Sequence, residues 1–313
     1  MVDAGAVWCV DEDGEVEWKT TKAVKHEGSW ETSLAIKCDG FRVSLAGNVG
    51  RFGRRDNVFG FGLVECLRRA NEVLAFYGLP PFTAGQQWHR ITKGRVVSSW
   101  TGARISRIDL TANYEAGSHD NALAVLGYLA TQHKGKQRGR TVPQGTTVDW
   151  GRGSRRQYWK AYVKATELLH HTPDRVELID HCQAVGLVRF EGTVRSNALS
   201  DLGAAYLGDY QRGWAMAQLI RLFNESSEIL TRAERATDDL DALPRPLRAT
   251  ARDYLAGMDV RHVLSRRTFY RHRKELLPFG IDLAVANVMP FKPRVQVVEL
   301  RPAQQPDWYQ LAA

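Results

Sequence analysis

Three stretches of the chain alternate apolar and polar residues with a period of two, the pattern of a β-strand with one buried face. They run through residues 104–114, 155–167 and 187–195. Charged side chains occupy the middle of the polar face: Arg107 and Asp109 in the first stretch, Arg189 and Glu191 in the third. One charged strand face is usually only the solvent side of a sheet. Three strands of the same design predict one sheet with a shared polar working face.

The middle stretch is the most informative. As a strand, it places Tyr158, Lys160, Tyr162 and Lys164 on one face, and Trp159, Ala161, Val163 and Ala165 on the other. A helix would also bring Tyr158 and Tyr162 together, one turn apart, but the alternation favours the strand. Phenols beside ammonium groups suit attack on a phosphodiester, because lysines hold the phosphate charge and help a phenol of pKa about 10 to ionise.

The other patterns complete an α+β fold. Turn residues between apolar runs predict hairpins over residues 6–18 and 33–45. Helical spacing predicts helices over residues 63–77, 120–133, 214–230 and 247–256, with Asp120 as the N-cap of the second. We expect an antiparallel sheet with helices packed on one face and the polar face open.

The C-terminal pattern is helical and basic. Residues 238–246 are polar and contain two prolines, which predicts a linker. Ser265 is the expected N-cap of a helix from residue 266 whose inner face carries Phe269, His272 and Leu276. The outward-facing residues are Arg266, Arg267, Tyr270, Arg271 and Lys274. A short helix, a turn and a basic helix resemble a helix-turn-helix; the alternative is a solvated basic helix.

Composition narrows the class of protein. The net charge of +8 favours polyanionic partners, although charge alone does not separate nucleic acid from lipid headgroups. The four cysteines form no CxxC pair, which argues against a zinc knuckle or a disulfide framework and fits a reducing cytoplasm. No window approaches the roughly 18 apolar residues of a membrane span, and the acidic N-terminal sequence is not a signal peptide. We therefore expect no membrane association.

Carboxylates on the polar faces suggest a metal. Asp109 and Glu191 offer hard oxygen ligands that suit Mg²⁺ or Mn²⁺, which would polarise a phosphoryl oxygen. Glu167 ranks third, because at the end of the tyrosine strand it would face away from Tyr162. No His-x-His occurs on a predicted strand, so a zinc site is not expected. His89 could add a ligand, but such a histidine is more often structural.

Five segments then occur in the order seen in one family. They are Arg107-Ile-Asp-Leu-Thr111, the run over residues 150–155, Lys160-Ala-Tyr-x-Lys-x-x-Glu167, Arg189-Phe-Glu191, and residues 265–273 continuing through Gly280-Ile-Asp282. Over nearly its whole length the chain resembles the gene II-type rolling-circle replication initiators of filamentous bacteriophages. Asp149 departs from that pattern, since an aromatic residue is expected in the strand before Gly151.

The resemblance implies an origin-specific nicking and closing enzyme. A strand tyrosine cuts one strand of supercoiled phage origin DNA and stays joined to the 5′-phosphate, which leaves a 3′-hydroxyl for the host polymerase. The family's tyrosine falls on Tyr162, with Lys164 beside it; Tyr158 is the reserve or a second, alternating nucleophile. Asp109 and Glu191 would hold the metal, while Lys164, Arg107 and Arg189 contact phosphates.

The resemblance also implies how the chain is organised. We expect a catalytic nicking domain over residues 1–200, a helical connector and linker over 201–246, and a helix-turn-helix-like DNA-binding region over 247–313. The expected location is the cytoplasm of the bacterial host, with the host helicase and polymerase as further partners. The rival interpretation is a non-catalytic origin-binding or regulatory protein that keeps the basic helix.

Overall fold

The computed structural model describes residues 5–134, 137–141, 145–233, 243–255, 258–277, 281–284, 298 and 300–310. Most of the predicted linker at 238–246 lies outside these residues, as does Gly280. The chain forms two compact units: unit 1 contains residues 1–103 and 305–313, and unit 2 contains residues 104–304. The structural division therefore falls at residue 103, whereas the functional divisions predicted at residues 200 and 246 stay predictions.

Unit 1 consists of small antiparallel sheets and one helix within the described ranges. Its elements are β1 (Ala6–Val10), β2 (Val16–Thr21), β3 (Val24–Glu27), β4 (Ser33–Cys38), β5 (Val43–Ala46), α1 (Leu63–Phe76), β6 (Gln87–Thr92) and β7 (Arg95–Trp100). Leu34 and Ile36 of β4 pack against Val73 and Leu74 of α1 to form its core. The two predicted hairpins and the first helix are confirmed. The β6–β7 hairpin was not predicted.

Unit 2 is built on a six-stranded antiparallel sheet. The described strands of unit 2, inside and outside this sheet, are β8 (Arg107–Glu115), β9 (His133–Lys134), β10 (Gln137–Arg138), β11 (Arg140–Thr141), β12 (Thr147–Trp150), β13 (Gln157–Val163), β14 (Leu187–Arg195) and β15 (Arg301–Pro302). The sheet order is β11-β12-β13-β14-β8-β15, while β9 and β10 form a separate hairpin. The three long strands β13, β14 and β8 are therefore neighbours at its centre.

The strand register confirms the shared polar face. Tyr162 lies opposite Arg189, Lys160 opposite Glu191, and Thr193 opposite Asp109. Directly opposite residues in an antiparallel pair point to the same face, so the polar residues of all three strands lie together. On the other face the ring of Trp159 stacks on Phe190, with centroids 5.5 Å apart.

Helices cover the apolar face. The helices of unit 2 are α2 (His119–Thr131), α3 (Lys164–His171), α4 (Val176–Ala184), α5 (Ser196–Asp201), α6 (Trp214–Ala233), α7 (Arg245–Leu255), α8 (Val260–Val263) and α9 (Arg266–Leu276), with a 3₁₀ turn at Leu207–Tyr210. Phe223 of α6 packs on both Trp159 and Phe190, and α2 lies against β12, β13 and β14. The predicted α+β fold is confirmed.

Two local predictions were wrong. The N-cap of α2 is Ser118, whose hydroxyl accepts a hydrogen bond from the Asn121 amide at 3.2 Å, so Asp120 lies inside the first turn. The tyrosine strand ends at Val163, and Lys164 begins α3. Lys164 and Glu167 thus lie one turn apart on a helix and do not continue the strand, because Ala, Lys, Glu and Leu in this segment favour helix.

The C-terminal helices have a small core of their own. Leu247 and Ala251 of α7 pack with Phe269 and Leu276 of α9, and Ser265 caps α9 by accepting a hydrogen bond from the Thr268 amide. The predicted inner and outer faces of α9 are confirmed. The connection from α7 to α9 contains the one-turn helix α8, and the helix-turn-helix stays a prediction.

Candidate active site on the polar face of the sheet

Glu191 is the centre of the polar face. Its Oε1 accepts a hydrogen bond from the Tyr162 hydroxyl at 2.8 Å and lies 2.9 Å from Arg189 Nε. Its Oε2 lies 2.7 Å from Lys160 Nζ. Neighbouring positions on β13 and β14 supply all four side chains, because Lys160 lies directly opposite Glu191 and Tyr162 lies diagonally across the ladder from it. The register therefore joins a phenol, a carboxylate and two cations into one group.

Lys164 reaches the same group from helix α3. Its side chain is fully buried, and its Nζ lies 2.5 Å from Glu167 Oε2. The ammonium groups of Lys160 and Lys164 lie 4.7 and 5.8 Å from the centroid of the Tyr162 ring. Cations at such distances are attracted to an aromatic ring. Two ammonium groups thus lie near the Tyr162 ring, one from the strand and one from the helix.

Burial and charge set the protonation states of this group. Burial raises the pKa of the Tyr162 phenol far above its ordinary value. Burial also opposes ionisation of Glu191, but the charges of Arg189 and Lys160 outweigh it and hold the pKa of that carboxyl below its usual range. Burial lowers the pKa of Lys164 to about 8. Near neutral pH, Glu191 is therefore an anion facing a neutral phenol.

Access to the phenol is narrow. Tyr162 is only 4% exposed, whereas the side chain of Lys160 is 33% exposed. The phenol is therefore almost completely covered by its neighbours, and Lys160 is the more accessible of the two side chains.

Tyr158 lies near the other end of β13, opposite Thr193. Burial raises the pKa of its phenol, and the negative charge of Asp149 raises it further. Asp149 is buried and accepts a hydrogen bond from Arg152 Nη2 at 2.7 Å. Asp149, which stands where an aromatic residue was expected, thus holds the exposed side chain of Arg152 near Tyr158.

Asp109 is the most exposed of the three predicted metal ligands. Its side chain is 48% exposed; Oδ1 accepts a hydrogen bond from Thr193 Oγ1 at 2.6 Å, and Arg107 Nε lies 3.1 Å from both oxygens.

The predicted ligands do not form a metal site in this arrangement. Glu191 is engaged by Lys160 and Arg189, Glu167 by Lys164, and Asp109 by Arg107. Among the residues that the structure describes, no three His, Cys, Asp or Glu side chains gather closely enough to hold an ion. The set Asp109, Glu191 and Glu167 does not fit a divalent cation, and the use of Mg²⁺ or Mn²⁺ stays a prediction from the sequence.

Comparison with known proteins identifies the family. Residues 1–215 match the family model for the N-terminal part of the gene II replication-associated protein of phages, and residues 239–312 match the model for its C-terminal part. The chain therefore belongs to the gene II family of replication-associated proteins. The predicted resemblance to gene II-type phage proteins is confirmed.

Two relatives in the gene II family align along most of their length. The replication-associated protein of Enterobacteria phage I2-2 is 27% identical over 98% of this chain and 92% of the relative. The replication-associated protein of Escherichia phage If1 is 27% identical over 88% of this chain and 97% of the relative. No solved structure matches the chain.

The residues predicted to contact DNA fall in both parts of the family match. Arg107 is exposed, whereas Arg189 is buried against Glu191. The five outward-facing residues of α9 are exposed: Arg266, Arg267, Tyr270, Arg271 and Lys274. Among the helices of the described ranges, none combines the length and apolar character needed to cross a bilayer.

Sequence reasoning missed two side chains of the site. Lys160 was counted among the lysines that would hold phosphate charge but was not singled out as a site residue, and Thr193 was given no role. The signal for both is the strand register, because Lys160 lies directly opposite Glu191 and Thr193 directly opposite Asp109. Alternation within one strand does not contain that information.

Proposed function

We propose that this chain initiates phage DNA replication by nicking and closing origin DNA, with Tyr162 as the nucleophile. The observation that supports this most directly is the hydrogen bond from the Tyr162 hydroxyl to the ionised carboxylate of Glu191. A phenol is a weak nucleophile until it loses its proton. A carboxylate within hydrogen-bond reach can accept that proton as the new bond forms.

In the proposed step, Tyr162 Oη attacks the phosphorus and its proton passes to Glu191. The bond from phosphorus to the 3′-oxygen breaks, and that oxygen takes a proton from a water molecule, which in turn recovers a proton from Glu191. The products are a 5′-phosphotyrosine and a free 3′-hydroxyl. Closing is the reverse reaction, in which a 3′-hydroxyl attacks the phosphotyrosine and releases the phenol.

The cations around Tyr162 support phosphoryl transfer. Lys160 and Arg189 both contact Glu191, and Lys164 adds a third charge near the ring. Positive groups fixed beside a reacting phosphate stabilise the charge that develops on its oxygens. We propose that an incoming phosphate draws Lys160 away from Glu191, which opens access to the phenol and frees the carboxylate to take the proton.

We propose that α9 and Arg107 bind the origin duplex. Phe269, His272 and Leu276 fix the inner face of α9, so its basic outer face is held on a defined surface. Arginine and lysine contacts to phosphates position a protein on DNA, and Tyr270 offers a further contact. The host helicase and polymerase as partners, and the host cytoplasm as location, are proposals that follow from this role.

The decisive test is formation of a covalent adduct. The chain is incubated with Mg²⁺ or Mn²⁺ and supercoiled DNA that carries the origin of the phage encoding it, and nicked circles are assayed for attached protein. We expect Tyr162→Phe to abolish the adduct while it retains DNA binding, and Tyr158→Phe, the matched control, to keep it. Glu191→Gln should slow single-turnover adduct formation by about 10²–10⁴-fold, because it removes the proton acceptor.

Each other outcome points to a different conclusion. Absence of an adduct with the wild-type chain would favour the non-catalytic origin-binding interpretation. An undiminished adduct with Tyr162→Phe would exclude Tyr162, and loss of the adduct only with Tyr158→Phe would make Tyr158 the nucleophile. Repeating the assay with a chelator tests the predicted metal requirement.

A further inference from the structure

The β6–β7 hairpin is a two-stranded sheet by itself. Gln87 to Thr92 pair with Arg95 to Trp100, and no third strand from the described part of the chain joins them. Lys93 and Gly94 form the turn, with φ values of 49° and 71°. Positive φ at both central residues is typical of the turn whose twist matches that of a β-hairpin. The hairpin therefore has a defined tip and register, and we call residues 87–100 the ribbon.

Both faces of the ribbon are accessible. From Gln87 to Ser98 only Thr92 is partly buried, and Ile91 and Val96 are 76% and 67% exposed. An isolated two-stranded hairpin is marginally stable in water, and apolar side chains left exposed on it gain nothing for the fold. A ribbon with two open faces suits a partner that surrounds it.

All the charged side chains of the ribbon are basic. Residues 73–108 contain no Asp or Glu, whereas Arg90, Lys93 and Arg95 lie within the ribbon. The register puts Arg90 on the same face as the Thr92 and Arg95 pair, with Lys93 at the tip. In the same unit, five of the seven residues from Asp11 to Glu17 are acidic. Acidic residues are thus concentrated at residues 11–17 of unit 1, and the ribbon lies in a stretch without any.

We propose that the ribbon is a second DNA-binding element that enters the major groove of duplex DNA. The groove is about 12 Å wide and admits a two-stranded β-ribbon. Arg90, Lys93 and Arg95 contact the phosphates that border it. The proposal rests on the proposed function only in taking DNA as the partner; it does not depend on the chemistry of Tyr162.

The side chains favour a duplex over a single strand. Proteins that hold single strands stack successive bases on exposed aromatic rings. The basic face of the ribbon carries one ring, that of Trp88, and the Arg90 guanidinium lies 6.0 Å from its centroid. Trp100 is on the opposite face. This arrangement supplies charge for phosphates but no row of rings for bases.

The test measures binding without cleavage. In a Tyr162→Phe background, the triple variant Arg90→Ala/Lys93→Ala/Arg95→Ala is titrated with a mixed-sequence duplex a few helical turns long, over a range of salt concentrations. Each lost phosphate contact lowers the slope of log affinity against log salt by about 0.9, so we expect a slope smaller by about 2 to 3. Duplex affinity at low salt should fall at least about tenfold.

The matched control removes the same charge from exposed positions elsewhere in unit 1. Lys22→Ala/Lys25→Ala/Arg42→Ala should change the slope by less than about one unit. The double variant Arg90→Lys/Arg95→Lys should keep the wild-type slope, because it keeps the charges. Thermal unfolding of each variant confirms that the fold is retained.

Several results would overturn the proposal. These are an unchanged duplex affinity in the ribbon variant, equal losses in the ribbon and control variants, or a loss seen only with the corresponding single strand. Failure of the nicking proposal looks different: the wild-type chain forms no covalent adduct, while the dependence of duplex binding on the ribbon persists.

Discussion

Lys164 is a lysine without any exposed surface, held beside Glu167 and the ring of Tyr162. Burial lowers its pKa from an ordinary 10.5 to about 8. Between these values the unfolded chain binds a proton that the folded chain has released. The free energy of unfolding therefore rises with pH between these two values. At lower pH, Lys164 is charged in both states, and burial of that charge destabilises the folded protein.

We predict that Lys164→Met removes this pH dependence. From about pH 8 to pH 10, the wild type should gain up to about 3 kcal/mol of unfolding free energy from Lys164. The variant should lack that gain. Urea unfolding at several pH values measures the difference between the two proteins, in which contributions from other titrating groups largely cancel.

Lys274→Met is the control for this experiment, because it makes the same substitution at an exposed position of α9. It should reproduce the wild-type pH dependence. Parallel curves for wild type and Lys164→Met would contradict the prediction and would mean that Lys164 is hydrated in the folded state.

The sequence indicated which side chains belong to the site better than it indicated which of them contact one another. Alternation correctly put Tyr162, Arg189 and Glu191 on one face, because period two determines the face of each residue within a strand. It did not reveal that Arg189 is buried against Glu191, since that depends on pairing between strands. It also extended the strand through Lys164, because Lys and Thr continued the alternation where helix propensity prevails.

At the scale of elements, the contact between β13 and β14 depends on a glycine. Gly192 lies opposite Trp159 on the apolar face, and a Cβ at residue 192 would lie 2.2 Å from the Trp159 ring. The indole occupies that space and stacks on Phe190. The central pairing of the sheet therefore requires a residue without a side chain at this position.

We predict that Gly192→Ala destabilises unit 2 by about 1–3 kcal/mol, because the indole must leave its packed position. Thermal or urea unfolding measures the loss. In a Trp159→Leu background, Gly192→Ala should cost less than it does in the wild type, since the smaller side chain makes room for the methyl group.

Gly60→Ala serves as the control, because a Cβ at residue 60 meets nothing within 4 Å. Its effect on stability should stay within about 1 kcal/mol. Equal effects at residues 60 and 192 would show that the glycine backbone, and not the contact with Trp159, determines the result.

Local elements were predictable, and long-range ones were not. The helix α1 and the β1–β2 and β4–β5 hairpins follow from neighbouring residues and their turns. The short strand β15 pairs with β8 from far along the chain, and two residues carry no periodic signal. The ribbon escaped prediction because Gln87 to Trp100 does not alternate apolar with polar residues: both of its faces are exposed.

At the scale of the whole molecule, unit 1 is made from two separate parts of the sequence. Tyr309 is buried among residues from the first part: its hydroxyl donates a hydrogen bond to Asp56 and accepts one from Arg54 Nη2 at 3.1 Å. Its ring also packs edge-on against Phe59. These contacts attach residues 305–310 to a unit otherwise formed by residues before 104.

We predict that Tyr309→Phe lowers the stability of unit 1 by about 1–3 kcal/mol, because a buried hydrogen-bonded hydroxyl is lost while its partners stay in place. Hydrogen exchange of the β3–β5 amides reports on unit 1 separately from unit 2. Tyr270→Phe, at an exposed ring, should leave this exchange unchanged. Faster exchange in unit 2 alone would contradict the assignment of Tyr309 to unit 1.

The position of Tyr309 in the sequence also determines when unit 1 can be completed during synthesis. Domains generally fold as they leave the ribosome, the N-terminal one first. Here the first hundred residues emerge early but lack Tyr309 until all of unit 2 has been translated. Unit 2, which contains the sheet that carries Tyr162, is continuous in sequence, and its last strand, β15, is translated just before Tyr309. The N-terminal unit, with its basic ribbon, is finished last.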